Sequence, residues 1–333
     1  MQASGWRVAL VGASSLKGKE LKEVLDQRNF PIRSLALLDE EELQGTLTEF
    51  GGEPVLLQSI SQESFERVDF AFFAGLPEFT HRHWKVAQSE GARIIDLTGA
   101  IEEDAPEAVV AGPFATGHLP PTQARLFAAA HPAALIVALV LRRLAARLPL
   151  TRAVVNVFEP ASERGSRGIE ELHQQTVSLL SFQQVPQQVF GNQLAFNLLA
   201  AVGEDVRPSL LEVEQRVVRH TGRLLGAAAP LPAVRVAQSP VFHSHSFSFY
   251  VELEQSREAQ EVENALAGPD FDLRRGSEER PSAVGAASSS EVLIGDIRPD
   301  STYRHACWLW AAADNLRVSA VNAVQIAEQL AKR

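Results

Sequence analysis

WRVALVGASSLKGKELKEVLDQ, residues 6–27, decides the fold of the first half of the chain. Trp6 to Val11 is a short apolar run of the kind shown by parallel strands buried on both faces. Gly12 supplies a turn, and Gly18 falls within the first turns of the amphipathic helix that follows. Strand, glycine turn and helix together open a dinucleotide-binding βαβ unit. The middle glycine of the usual fingerprint is absent here. A Walker loop is excluded, because the spacing is one residue too long and Glu20 stands where Ser or Thr belongs. Ser14 and Ser15 still place hydroxyls and N–H groups at a helix start, a site with some capacity for anions.

Outward from that unit, Ile32 to Leu38 reads as the second strand and runs into Asp39-Glu40-Glu41-Glu42. A carboxylate there suits the ribose hydroxyls of NAD and repels the 2′-phosphate of NADP; an acidic solvated loop is the competing reading. VDFAFFAG (68–75) and ARIIDL (92–97) are further buried strands, with a helical stretch around Trp84 between them. Alternating strands and helices up to about residue 130 predict a doubly wound, Rossmann-type α/β domain. AAAHPAALIVALVL (128–141) then starts a helix at Pro132. Its first turn points N–H groups and a positive dipole end outward, which suits a nucleophile or an anion. Ala133 and Ala134 occupy it, and neither can serve as nucleophile or base.

From Thr151 the pattern changes. AVVNVFEPAS (153–162) is strand-like, EELHQQTVSLL (170–180) is helical, and Ser209 to Leu225 is a second helix. Strands follow over 234–236, 241–252, 291–297 and 307–313, then a terminal helix over 314–332. Residues 268–290, rich in Gly, Ser, Pro and Arg, read as a mobile loop. Antiparallel strands with helices give an α+β second domain. The expected division is 1–130 with 314–333 for the nucleotide, and 131–313 for substrate and dimerisation.

At 333 residues, 45% hydrophobic and 22% charged, the chain has the composition of a globular protein of about two domains. A net charge of -10 without a basic cluster excludes nucleic acid as a partner. No apolar run reaches the ~20 residues of a membrane span. The opening MQASGWRVALVG lacks a signal-peptide pattern, and one cysteine, Cys307, leaves no internal disulfide. The expected location is a reducing cytoplasm. His243 and His245 are read as one strand face, and His81 and His83 as part of a helix. No third ligand converges by spacing, so no metal site is expected. His245 is a candidate acid/base, against the plainer role of a half-buried structural histidine. Glu159, inside an apolar segment, either faces a cleft at a strand end or pairs with a cation such as Arg164. Ser162 and Ser166 lack a nucleophile-elbow context.

GSRGIEELHQQT (165–176), FGNQLAFNLL (190–199), SPVFHSHS (239–246), IGDIRPD (294–300) and ADNLRVSAVNAVQIAEQL (313–330) carry a collinear resemblance. Together they resemble the aspartate-β-semialdehyde dehydrogenase family, from about residue 6 to 330. The resemblance implies a nucleotide-binding domain completed by the C-terminal helix, a middle domain for catalysis and dimerisation, and a homodimer. It also implies a chemistry: a cysteine in N-P-N-C forms an acyl-thioester, a histidine shuttles the proton and a glutamine orients the substrate. Arginines clamp carboxylate and phosphate, and NADP carries the hydride.

Position by position, this chain departs from that set. N-P-N-C corresponds to His131-Pro132-Ala133-Ala134, so the nucleophile's place is taken by Ala134. The glutamine corresponds to Glu159, one substrate arginine to Gln238, and the phosphate arginine to Glu102. Reversing a charge at ~4 Å turns an attraction of about 4 kcal/mol, at an effective dielectric near 20, into comparable repulsion. In the cofactor loop the family's G-A-T-G-A-V-G appears as Gly12 to Gly18, including Ser14, Ser15 and Leu16; its NADP-selective stretch falls near Asp39. His245, Arg216 and Asn315 are retained, the last near the expected nicotinamide. Cys307, in a strand pattern far from the helix start, reads as a buried small hydrophobe.

The expectation is a homodimeric paralogue lacking the catalytic cysteine. It would be inactive in the NADP-dependent reductive dephosphorylation of aspartyl phosphate. It would be retained to bind a small molecule in an interdomain cleft, or a protein. Its NAD(P) site would be vestigial, with NAD favoured over NADP. Two alternatives stand beside it. One is an active NAD(P)-dependent oxidoreductase on a different small substrate, with His245 and Glu159 as acid/base groups. The other is a modulator of the authentic dehydrogenase.

Overall fold

The computed structural model describes residues 5–120, 123–275 and 280–332. The chain forms two compact units, one reaching to Ala130 and resuming at Ser319, the other spanning His131–Val318. The return to the first unit thus comes at Ser319, inside the terminal helix, rather than at 314.

In the first unit β1 (Trp6–Val11), α1 (Leu16–Gln27) and β2 (Ile32–Asp39) form the opening βαβ motif. A hairpin of β3 (Leu47–Phe50) and β4 (Glu53–Leu56) follows, then β5 (Gln58–Ser59), β6 (Phe70–Phe73), α2 (Pro77–Ser89) and β7 (Arg93–Asp96). The unit ends its first pass with α3 (Ala100–Asp104), β8 (Val109–Ala111), α4 (Pro113–Thr116) and β9 (Leu126–Ala129). Seven strands form one parallel sheet in the order β5-β2-β1-β6-β7-β9-β8. The direction of winding reverses between β1 and β6, the kind of position where α/β sheets bind ligands. The β3–β4 hairpin escapes the sequence reading; it turns at Gly51-Gly52, both at positive φ, as a tight two-residue hairpin requires.

The second unit begins with α5 (Pro132–Ala145) and β10 (Leu150–Glu159), then α6 (Gly165–Leu180) and α7 (Leu210–Leu225). β11 (Ala233–Gln238), β12 (His245–Leu253), α8 (Ala259–Leu266), β13 (Phe271–Leu273) and α9 (Ala283–Ala286) follow. β14 (Val292–Pro299), β15 (Ala306–Ala313) and α10 (Asn315–Ala331) complete the chain. α5 is apolar nearly all round, and ten consecutive residues from Pro132 to Leu141 are buried, as an all-round apolar helix demands. α7 is amphipathic and starts from a capping box between Ser209 and Glu212.

Three expectations change here. The second sheet, β11-β10-β12-β15-β14-β13, is mixed rather than antiparallel, because β10 pairs parallel with β11 and β13 with β14. The region 268–290 contains β13 and α9 instead of forming one loop, and 276–279 lie outside the described residues. His243 is not on the strand face of His245: β12 begins at His245, after a turn in which Ser244 takes φ 71°. Among the described residues no helix is long and apolar enough to cross a membrane.

Candidate functional site

Alternation along three neighbouring strands builds the site of the second unit. Gln238 ends β11 opposite Glu159, which ends β10, and the two are paired in parallel register. On the other side β10 runs antiparallel to β12 with Phe158 against Ser246, so the next step sets Glu159 beside His245. All three side chains are buried on the helix-covered face. The sequence reading named them separately; the sheet puts them in one row.

The start of α5 faces that row. His131 is its N-cap, and the imidazole Nδ1 accepts the Ala133 N–H at 3.2 Å. The His131 N–H in turn donates to Nδ1 of His220 on α7 at 2.9 Å. Both Nδ1 atoms are acceptors, so each neutral ring carries its hydrogen on Nε2. The rings of His131 and His245 lie 6.0 Å apart. Arg216 stands one helical turn before His220 on α7, hence on the same side. Ala134, the third residue of α5, is fully buried. The sequence reading gave His131 only as the first residue of the matched motif and missed His220, since no spacing signals that α5 and α7 meet.

Gln238 is held by its own strand end. Its Nε2 donates to the Glu159 carbonyl at 2.8 Å, where the Ser239 hydroxyl also donates at 2.9 Å. Burial pulls the Arg164 guanidinium below the usual arginine range, opposed by the charges of Glu159 and Glu163. Arg164 is therefore the electrostatic neighbour that an acid inside an apolar strand calls for. Its Nη2 donates to the Pro208 carbonyl at 3.0 Å.

Asn315 acts as a junction. Its Oδ1 accepts from the Ser162 hydroxyl and the Ser244 N–H, both at 3.1 Å, and its Nδ2 donates to Glu163 at 2.8 Å. These contacts lock the turn before His245 to the start of α10 and to the segment after β10. The amide sequence reading places near a nicotinamide is engaged in three bonds within its own unit.

In the first unit the glycine loop lies where the winding reverses. A Cβ built on Gly12, at φ +79°, would stand 2.2 Å from the Gly75 Cα, so the loops after β1 and β6 touch backbone to backbone. Gly75 escaped the sequence reading for want of a motif. Ser14 donates its N–H to the Asp39 carboxylate at 2.7 Å, and Glu40 donates to the same group at 3.1 Å. Asp39 is thus a buried acceptor rather than part of a solvated acidic loop. The Ser15 hydroxyl donates to Ala74 O at 2.7 Å and accepts the Gly18 N–H at 2.9 Å, capping α1 ahead of Leu16. Glu102 lies half-buried on α3 of this unit. Among the described residues no three His, Cys, Asp or Glu side chains form a metal cluster.

Residues 7–141 match the family described as the NAD binding domain of semialdehyde dehydrogenase, and residues 141–318 its dimerisation domain. An aspartate-semialdehyde dehydrogenase from Prochlorococcus marinus is 29% identical, over 98% of this chain and 96% of that protein. A USG-1 protein homolog from Azotobacter vinelandii is 32% identical over 98% of both. The solved structure of aspartate semialdehyde dehydrogenase II from Vibrio cholerae, complexed with ASA, superposes with a TM-score of 0.87 at 27% identity, covering 99% of each chain.

Proposed function

This chain belongs to the aspartate-semialdehyde dehydrogenase family, and on that premise we propose that it has given up the family's reaction and is kept for binding. The observation that carries the reading is the start of α5. The position matched to the family's nucleophile is Ala134, whose methyl group has no lone pair, and the helix start is capped by His131 instead of facing a thiolate. Cys307, the one cysteine, cannot stand in: it is buried on β15, and burial pushes its thiol up to about 11. The row beside α5 has also changed sign. Gln238 and Glu159 take the places matched to an arginine and a glutamine, so the row carries one positive charge fewer and one negative charge more for holding an anionic substrate.

The ligand in this reading is a small molecule at the His131, Glu159, Gln238 and His245 group, and the assembled form is a homodimer through the dimerisation domain. The first unit fits a dinucleotide in part. α1 offers its positive end at Ser15, Leu16 and Lys17, and Asp39 suits a ribose diol while repelling an added 2′-phosphate. NAD is therefore the favoured dinucleotide of a reduced site; a bound nicotinamide supplies hydride chemistry, and these residues supply only its seat.

The deciding experiment mixes the purified chain with aspartate semialdehyde, phosphate and NADP. No NADPH formation above a protein-free control is expected, and sustained turnover overturns the reading. One observation favours a second reading, an oxidoreductase without a covalent intermediate: Glu159 and His245 stand side by side at the sheet end. For that reading, NADH formation should appear with some 2-hydroxy acid or aldehyde and vanish in His245→Ala.

A further inference from the structure

The start of α1 is tied to more of the first sheet than its own strand. Ser15, its cap, donates its hydroxyl to the carbonyl of Ala74, the first residue past β6. Lys17 reaches further: its Nζ donates to the carbonyl of Leu97, the first residue past β7, at 3.2 Å. The sheet runs β2-β1-β6-β7 in space, so the Lys17 side chain passes from the first turn of α1 over the end of β6 to the end of β7. Leu97 is itself fixed, its N–H donating to Phe73 O at 2.8 Å. The β2 side is joined differently, by the backbone N–H of Ser14 to the Asp39 carboxylate. In the family's G-A-T-G-A-V-G loop the residue at the place of Lys17 is valine, which has neither the length nor the donor for such a span.

We propose that Lys17 is a bar across one half of the dinucleotide crevice, so that this unit seats the adenosine diphosphate half of a dinucleotide and turns away the nicotinamide half. The proposal rests on the dinucleotide seat read above in the first unit, and adds what limits it. A doubly wound sheet takes a dinucleotide across its strand ends where the winding reverses, here between β1 and β6. The pyrophosphate belongs at the start of α1, and the acid that ends β2 takes the adenosine ribose. Whatever lies beyond the pyrophosphate must pass over the ends of β6 and β7, and Lys17 occupies that line. A ligand entering there has to part a partly buried ammonium from its carbonyl and leave that carbonyl without its donor. A ligand that ends at its pyrophosphate leaves the bond in place.

The test is isothermal titration calorimetry of the full-length chain and of Lys17→Val with two ligands, NAD and the methyl ester of ADP. The ester has the pyrophosphate diester of NAD and ends there. Both ligands carry the same phosphate charge, so loss of the Lys17 charge acts on both and the ratio of their affinities isolates the bar. The wild type should bind the ester about tenfold more tightly than NAD, the equivalent of one charge-assisted hydrogen bond, and Lys17→Val should remove that preference by tightening NAD relative to the ester. An unchanged circular dichroism spectrum and urea midpoint show that the variant is folded. A ratio that Lys17→Val leaves as it was, or a selective loss of NAD in the variant, overturns the bar and leaves the seat standing. No binding of either ligand by either protein overturns the seat, and the bar with it.

Discussion

In the function proposed above, the single side chain of Ala134 is what separates the scaffold from the family's chemistry. A thiol restored at the start of α5 would meet the positive end of the helix, which favours thiolate. Yet Glu159 and Gln238 would still offer an acid and a neutral amide to an anionic substrate. Ala134→Cys alone is therefore expected to give no turnover of aspartate semialdehyde; measurable rescue would show that only the nucleophile had been lost. Cys307 makes a second prediction. Its thiol is raised to about 11 in the folded chain, against 9.0 for the free group. Below pH 9 the thiol is protonated in both states and its titration has no effect on stability. Between pH 9 and 11 only the unfolded chain ionises, so stability falls as pH rises, by about 1.4 kcal/mol per unit and roughly 3 kcal/mol in all. Urea unfolding at pH 8 and pH 10 should show a smaller loss in Cys307→Ala than in the wild type.

The segment between α6 and α7 has almost no regular structure, yet one helix fastens it. Glu171, buried on α6, accepts the N–H groups of Gln188, Val189 and Phe190 at 2.6, 2.7 and 3.0 Å. Gln175, one turn on, accepts from Leu194 and Ala195 and donates to Pro186 and Asn192. Replacing Glu171 by Leu takes the acceptor from one buried donor, on Phe190, and two part-buried ones, and should destabilise the chain by about 2 kcal/mol, read from the urea midpoint. Elements of this kind mark the limit of what the sequence reveals. β1, β2, β6 and β7 of the first sheet were legible as apolar runs while the short β5, β8 and β9 were not, and α7 was legible because its apolar residues recur at helical spacing. The parallel pairing of β10 with β11 was not, since nothing in either strand states its neighbour's direction. For the same reason Glu159, Gln238 and His245 were legible as residues but not as a row. His220 was invisible, because its role depends on where α7 lands. The β3–β4 hairpin was missed although Gly51-Gly52 is a recognisable turn signal.

On the scale of the whole molecule, ligand binding should be visible as thermal stability. NAD at millimolar concentration is expected to raise the melting temperature and NADP to leave it unchanged, with the difference abolished in Asp39→Ser. A shift with NADP alone would reverse the assignment of Asp39. The last helix has a different consequence. From Ala320 to Leu330 its apolar residues belong to the core that also contains Val8, Leu21 and Phe70. Asn322 bonds to Ala111 and Phe114, and Glu328 pairs with Arg28. A ribosome making this protein therefore issues the first domain's opening strands some three hundred codons before the piece that closes their core. Until that piece is made, the core built by the early strands lacks the apolar residues of α10. A premature stop after Val318 should leave that early segment open to protease, so damage at the tail is felt at the head.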